Sequence, residues 1–122
     1  MHDRLRCDQT QAWSALRALH AAEPQGPDLR RAFEQDAGRF AAFSQEAPHV
    51  FADLSKNLVT PAIEHQLLAL ARECGLEAFR DAMFSGQAIN TTEQRAVKHF
   101  LLRAPRPADG APPQDADLAA VH

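Results

Sequence analysis

The chain has 122 residues, with 13 lysines and arginines against 16 aspartates and glutamates, and a formal net charge of −3. Its length predicts one domain at most. Its charge excludes the global positive field that draws proteins to nucleic acid or to anionic membranes. Hydrophobic residues make up 45% of the chain, which argues against disorder over most of its length. No apolar run approaches the roughly 18 residues of a transmembrane helix. Because of this and of the negative net charge, neither a membrane nor nucleic acid is expected as a partner.

The composition favours helices and a reducing compartment. Tyrosine is absent, alanine is abundant and β-branched residues are few, so the predicted fold is mostly α with at most one or two short strands. Cys7 and Cys74 form no Cys-x-x-Cys pair, and the start of the chain lacks an apolar signal segment. We therefore expect reduced thiols and a cytoplasmic location, although the sequence leaves open a disulfide between the two cysteines.

Two helices are predicted in the first part of the chain. The first covers residues 10–22 and ends at a loop rich in proline and glycine. The second begins at Asp28, a favourable N-cap residue, and continues without a break to Phe43. Charged side chains, Arg39 among them, fill the polar face of this second helix. The apolar faces comprise Trp13, Leu16 and Leu19 on the first helix, and Leu29, Phe33, Ala37, Phe40 and Phe43 on the second.

A short strand and a third helix are predicted next. Residues 50–54 are compatible with one strand, and residues 55–57 with a turn. The third helix is expected to begin at Thr60, an N-cap residue followed by proline at the first helical position. Gly75 is expected to end it. The spacing predicts a buried face made by Ile63, Leu67, Leu70 and Cys74.

The remaining residues predict two more helices and a proline-rich connection. A short fourth helix ends at Gly86, with Leu76, Phe79 and Met83 facing inward. A fifth opens after Ile89, and its apolar stripe extends to Ala104. Capping boxes are available in two registers, Asn90 with Glu93 or Thr91 with Gln94. Residues 1–104 are thus interpreted as a helical segment. Residues 105–122 are interpreted as a connection and the start of a truncated helix, whose abrupt end suggests that the natural domain continues.

The residue pattern alone predicts no catalytic, substrate-binding or metal-binding residue and no cofactor. None of the histidines forms a tight metal-ligand pair. Asp53, Ser55 and Lys56 lie near a possible strand end, where enzymes place catalytic groups, but a simple turn is the favoured interpretation. His99 is better explained as a structural histidine, and Cys74 as a core thiol. The histidines are His2, His20, His49, His65, His99 and His122.

The identities and order of residues 84–103 say more about the protein's family than their hydrophobic periodicity does. This stretch closely resembles the glucose-6-phosphate isomerase family pattern F-x-G-x-x-I-N-x-T-E-x-R-A-V-L-H-x-x-L-R. Residues 28–40 and 53–60 also resemble the family, in the family's order and spacing. Lys98 departs from the usual leucine and Leu54 from a frequent tyrosine. Further upstream, the residues that fit are Trp13, Leu16 and His20.

The resemblance implies that the chain is the amino-terminal part of a longer α/β enzyme with two sugar-isomerase-type sandwich domains. Such enzymes are homodimers that interconvert glucose 6-phosphate and fructose 6-phosphate through an enediol, without a metal. Their catalytic glutamate, histidine, lysine and arginine and their phosphate loop lie downstream of the matched motifs, so His99 and Glu93 inherit no catalytic role. The resemblance thus implies that the sugar phosphate binds only to the full-length enzyme and that the fragment alone is inactive. The alternative is a truncated, non-catalytic helical module that binds a partner.

Overall fold

A computed structural model of the chain describes residues 5–103. They belong to two compact units, one ending at Cys74 and the other beginning at Gly75. Helices predominate, and one two-stranded sheet accompanies them in the described range, which confirms the mostly-α prediction. No helix within residues 5–103 has both the length and the apolar character needed to cross a bilayer. The connection predicted over 105–122 lies outside the described residues, so the boundary at residue 104 stays a prediction.

The first unit contains short and long helices around a β-hairpin. Its longest helices, α1 and α4, pack against each other, and two short helices and the hairpin lie between them in the sequence. The elements are a 3-10 turn at Cys7–Gln9, then α1 (Gln11–Ala22), α2 (Leu29–Gln35), α3 (Arg39–Ala42), β1 (Ser44–Ala47), β2 (Val50–Asp53) and α4 (Pro61–Glu73).

Two threonines begin the long helices, as predicted. The Thr10 hydroxyl accepts a hydrogen bond from the Trp13 N–H at 3.1 Å, and the Thr60 hydroxyl accepts one from the Ile63 N–H at 3.3 Å. Each bond satisfies one of the backbone donors that a helix leaves unpaired at its start. The predicted first and third helices are therefore confirmed.

A carboxylate from α4 caps α1 as well. Glu73 Oε2 accepts from the Gln11 N–H at 2.8 Å, and Glu73 Oε1 accepts from the Ala12 N–H at 3.2 Å. A negative charge at a helix amino terminus interacts favourably with the helix dipole. This contact links the end of α4 to the start of α1 across more than sixty residues of sequence.

The prediction of one continuous helix over 28–43 is wrong, because the chain leaves the helix at Asp36. The Asp36 backbone is extended, and its side chain accepts a hydrogen bond from the Gly38 N–H at 2.8 Å. Such a local bond competes with helix propagation. The break turns Arg39 from its predicted polar face into the interior. It also leaves Phe33 and Phe40 exposed, so the predicted apolar stripe buries only its last member, Phe43.

A hairpin follows α3. Strand β2 confirms the predicted strand, and it pairs antiparallel with β1, which sequence analysis missed. The β1 residues Ser44–Ala47 include no β-branched or aromatic side chain, so their backbone pairing leaves no pattern to detect. His49, in the loop between the strands, has a φ of 65°, a left-handed conformation that turns commonly require at this position.

The predicted buried face of α4 is only partly correct. Ile63, Leu70 and Cys74 are half-buried, but Leu67 is 45% exposed. The helical spacing places these side chains on one side of α4, while the neighbouring elements in the first unit do not cover the whole of that side.

The second unit begins with α5 (Leu76–Phe84). Gly75 and Gly86 flank it, and both have φ values near 70° that suit glycine, which confirms the predicted ends. Phe79 and Met83 are half-buried, whereas Leu76 is exposed, contrary to its predicted inward position.

The predicted fifth helix is wrong. Asn90 and Arg95 instead form an isolated antiparallel bridge, and a 3-10 helix covers His99–Arg103. Gln94 has a φ of 54°, which a right-handed helix cannot contain. The Asn90 side chain bonds to Glu93, as the capping pair predicts, yet the chain closes a turn rather than starting a helix.

Candidate functional site

The most deeply buried charge in the described residues is Arg39, which is 2% exposed. Its Nε donates to the Ser55 carbonyl at 2.8 Å, and its Nη2 donates to the carbonyls of Asn57 at 3.1 Å and Val59 at 2.9 Å. One side chain from the start of α3 therefore holds three carbonyls of the segment that joins β2 to α4. We call this arrangement the arginine clasp.

Two aromatic rings complete the arginine clasp. The guanidinium carbon of Arg39 lies over the Phe43 ring at 4.7 Å from its centroid and over the Phe33 ring at 5.5 Å. Rings at these distances attract a cation through their quadrupole, and more strongly where water is excluded. Between residues 5 and 103, no carboxylate forms an ion pair with Arg39. The positive charge is held by carbonyl dipoles and π-faces instead.

The three residues at the predicted strand end do come together. Ser55 is fully buried; its hydroxyl donates to Asp53 Oδ1 at 2.5 Å and its N–H donates to the same oxygen at 2.9 Å. Lys56 Nζ bonds to the other oxygen, Asp53 Oδ2. These bonds stabilise the ionised carboxylate and lower the pKa of Asp53 to about 2. The bond from Lys56 contributes most, followed by those from Ser55.

This geometry suits a turn better than a catalytic group. A carboxylate with so low a pKa is a weak base, and the Ser55 hydroxyl is buried with its proton directed at Asp53. The turn predicted over 55–57 is confirmed. Its Ser55 and Asn57 carbonyls are also acceptors for Arg39, so the turn and the arginine clasp form one hydrogen-bonded structure.

The other residues considered from sequence remain dispersed. His65 is exposed and lies beside Gln66, and His99 is exposed in the 3-10 helix. Cys7 and Cys74 are both free thiols, Cys7 exposed and Cys74 half-buried. Over residues 5–103 no group of three or more histidine, cysteine, aspartate or glutamate side chains is arranged to hold a metal. That the chain carries no site residue stays a prediction.

An open groove of about 330 Å³ lies in the first unit, beside the end of α1. Its walls are mostly apolar, and His20 and Glu23 contribute its ionisable groups. Leu58 reaches Gly26 here, where a β-carbon would lie 3.2 Å from the leucine Cδ1. Its other lining residues include Leu16, Leu19 and Ile63.

A second polar turn lies at residues 90–95, within the second unit. Asn90 Oδ1 accepts from the Thr92 hydroxyl at 2.7 Å and from the Glu93 N–H at 3.1 Å. Glu93 also bonds to the side chains of Asn90 and Arg95. We call it the asparagine turn. Each of these side-chain bonds joins residues two or three positions apart, and the side chains of Glu93 and Arg95 are more than half exposed.

Sequence analysis missed Arg39 as the centre of a buried structure. Periodicity assigned it to a polar helix face, where a charged residue is the ordinary expectation. The available signal was the Asp36 and Gly38 pair just before it, since both residues favour turns over helix interiors. That signal could have predicted the break but not the burial, because the carbonyl acceptors lie 16 to 20 residues further along.

The chain matches known proteins over most of its length. The family model described as phosphoglucose isomerase matches residues 53–113, half of the chain. The glucose-6-phosphate isomerase of Albidiferax ferrireducens is 66% identical over 108 residues, 88% of this chain and 20% of that protein. That of Polaromonas naphthalenivorans is 61% identical over 113 residues, 93% and 22% respectively. That of Leptothrix cholodnii is 55% identical over 116 residues, 95% and 21%.

These matches include both the β2–α4 turn and the asparagine turn, since each lies inside residues 53–113. The chain spans about a fifth of the length of the curated relatives it matches. The resemblance seen in the sequence motifs is confirmed: this chain belongs to the phosphoglucose isomerase family.

Proposed function

We propose that this chain is the amino-terminal part of a glucose-6-phosphate isomerase, which interconverts glucose 6-phosphate and fructose 6-phosphate. The observation that carries the proposal is the family membership, with 66% identity to one such enzyme over 88% of the chain. Within the enzyme this part is a scaffold. Its arginine clasp and its two polar turns direct their hydrogen bonds at the chain itself, as packing and turn residues do.

The distribution of apolar side chains supports a place in a larger protein. In the described range, Ala12 and Phe43 are the fully buried hydrophobic residues, while many larger ones are exposed. Phe40 and Phe51 form a ring pair with centroids 6.3 Å apart and are 51% and 60% exposed. Exposed apolar patches of this kind are typical of surfaces that another part of a protein covers. Further exposed side chains are Val50, Leu54, Leu58, Leu67 and Leu68.

Several properties of the complete enzyme follow from this proposal and from the family resemblance. It is a homodimer that binds a sugar phosphate and needs no metal or other cofactor, and its catalytic residues lie outside this chain. The location is the cytoplasm, which suits the free thiols of Cys7 and Cys74. A non-catalytic helical module that binds a partner is the disfavoured alternative, because the three relatives named above are glucose-6-phosphate isomerases.

The direct test is an isomerase assay on three proteins: the product of the complete reading frame, this 122-residue chain, and the remainder of the frame without it. Fructose 6-phosphate is supplied, and formation of glucose 6-phosphate is followed with a coupled dehydrogenase. We expect turnover by the complete product and none by the chain alone. We also expect the remainder to gain activity when the chain is added.

Each assay result has a definite meaning. An inactive but folded complete product would contradict the isomerase assignment. Turnover by the purified 122-residue chain would contradict its assignment as scaffold, because catalysis needs the positioned groups that we place elsewhere.

A further inference from the structure

The β1–β2 hairpin carries apolar side chains on both of its faces. Successive strand residues point to opposite faces, so Phe51 lies on one face and Val50 on the other. The Leu54 N–H donates to the Phe43 carbonyl at 2.9 Å, which extends the ladder by one pair and places Leu54 on the face of Val50. The Phe40 ring joins Phe51 on the opposite face. We call the four side chains of Phe40, Val50, Phe51 and Leu54 the hairpin surface.

The hairpin surface is in contact with water. Val50 and Phe51 are each 60% exposed, and Phe40 and Leu54 are 51% and 45% exposed. Phe43, directly before β1, is by contrast only 4% exposed. The first unit therefore buries the base of the hairpin and leaves its outer part uncovered. Single exposed apolar side chains are ordinary, but several on one short element mark an interaction surface.

The hairpin also lacks neighbouring strands. In the part of the chain that the structure describes, its sheet has two strands, so each strand has an edge that no other strand covers. A two-stranded hairpin is at best marginally stable in water, and further strands or packed helices are needed to support it. A partner that packs on the exposed faces would therefore stabilise the hairpin as well as bury its apolar side chains.

Two partners could supply this cover, a second copy of the chain or the remainder of a longer polypeptide. In a two-fold symmetric dimer one patch contacts the same patch on the other copy. Such a contact covers one face or one edge of the hairpin and leaves the opposite face in water. A larger body of the same polypeptide can surround both faces. Its attachment to the chain gives it an effective concentration in about the millimolar range.

We propose that the hairpin surface is the docking site for the carboxyl-terminal remainder of the same polypeptide, which covers both faces of the hairpin. The chain spans about a fifth of the length of the relatives named above, so a large remainder is at hand. The four side chains offer no hydrogen-bonding group, and the matching surface of the remainder is therefore apolar. The proposal rests on the proposed function only in taking this chain as part of a longer protein.

The first test is hydroxyl-radical footprinting of the wild-type product of the complete reading frame. The rate at which a side chain is modified, corrected for its residue type, follows its exposure to water. Phe43 is the internal reference, since the first unit itself buries it. We expect Phe40 and Phe51 to be modified as slowly as Phe43, and Val50 and Leu54 to be equally protected.

Two footprints would overturn the proposal. An uncovered hairpin surface predicts that Phe51 is modified about 15-fold faster than Phe43, the ratio of their exposed fractions of 60% and 4%. Protection of Phe40 and Phe51 without protection of Val50 and Leu54 would show that the partner covers a single face. This test uses no substitution, so it does not depend on the folding of any variant.

The second test identifies the partner by photo-crosslinking. p-Benzoylphenylalanine, which is close to phenylalanine in shape, takes the place of Phe51 in the complete product. In a control protein it takes the place of Arg31, an exposed polar residue on α2. We expect illumination to join position 51 to a peptide beyond residue 122 of the same polypeptide. A band at twice the polypeptide mass on a denaturing gel would identify a second copy and overturn the proposal, as would a yield no higher than that of the control.

The docking proposal and the isomerase assignment can fail separately. A complete product that is active but has an unprotected hairpin surface would overturn the docking proposal alone. A product that is folded and inactive, with the hairpin surface protected and cross-linked within one polypeptide, would contradict the isomerase assignment and support the docking proposal.

Discussion

The arginine clasp and the asparagine turn are both polar, hydrogen-bonded structures, yet they work over different distances. Arg39 reaches carbonyls 16 to 20 residues away and is almost entirely buried. Asn90 bonds to partners two and three residues away in exposed positions. The first joins separate elements and excludes water, whereas the second shapes one loop in contact with solvent.

This contrast indicates where the stability of the chain resides. An exposed protein hydrogen bond takes the place of a bond to water, so it adds little to stability. A buried acceptor that loses its donor has no water to take the donor's place. The arginine clasp should therefore contribute more to the free energy of unfolding than the asparagine turn does. The asparagine turn should affect its own loop and little else.

The largest effect is expected from Arg39→Met. The substitution leaves the carbonyls of Ser55, Asn57 and Val59 without their donor and removes the cation from the phenylalanine rings. We expect a loss of about 3 kcal/mol or more in the free energy of unfolding, measured by urea denaturation at pH 7. Arg31→Met, at an exposed position on the neighbouring helix, should change it by about 0.5 kcal/mol or less. Equal losses in the two variants would contradict a special role for the clasp.

A smaller effect is expected where Glu73 caps α1. Glu73→Gln keeps an acceptor near the Gln11 and Ala12 N–H groups but removes the charge that faces the helix dipole. We expect a loss of about 1 kcal/mol in the same denaturation experiment. Glu34→Gln removes a charge from an exposed site on α2 and is the matched control. No difference between the two would mean that the dipole contact adds nothing to stability.

A pH-dependent effect is expected at Asp53. Its pKa is lowered from 3.8 to about 2 in the folded state, so its ionised form stabilises the fold above pH 3.8. That contribution should be lost as the pH falls towards 2. The stability difference between the wild type and Asp53→Asn should thus be constant near neutral pH and narrow below pH 4.

The contribution of Lys56 to the lowered pKa of Asp53 can be measured directly. Lys56 is the largest contributor to the lowered pKa of Asp53, ahead of the Ser55 hydroxyl and N–H. Lys56→Met should therefore raise that pKa, which a carboxyl ¹³C titration of the side chain would measure. An unchanged pKa would show that the Ser55 bonds alone hold the carboxylate ionised.

The smallest effect is expected from Asn90→Ala. It removes the acceptor for Thr92 and Glu93 in an exposed loop, where water can replace the lost bonds, so we expect about 0.5 kcal/mol. Amide hydrogen exchange should become faster in residues 90–95 and stay unchanged around the arginine clasp. Thr91→Ala, in the same loop, is the control. Faster exchange in residues 55–59 would remove the distinction between local and long-range structures.

Sequence reasoning succeeded where the signal is local. Thr10 and Thr60 cap α1 and α4 by bonds to residues three positions away, and Gly75 and Gly86 follow the ends of α4 and α5 through their own backbone freedom. The motif in residues 84–103 identified the family without any structural information. Sequence reasoning failed at the predicted fifth helix, because the local bonds between Asn90 and Glu93 are much the same in a closed turn as at the start of a helix.

The sequence by itself determined the helical character of the chain, the ends of its long helices, the turn after β2 and the family, since each depends on neighbouring residues or on their order. Only the tertiary structure decided that Arg39 lies inside, that β1 pairs with β2, and that Glu73 caps α1. The positions of Arg39 and Glu73 depend on contacts between residues far apart in sequence. The β1–β2 pairing is local, but the β1 side chains carry no strand pattern that would reveal it. The intrinsic preference of an arginine is for the surface, and here three distant carbonyls and two aromatic rings override it.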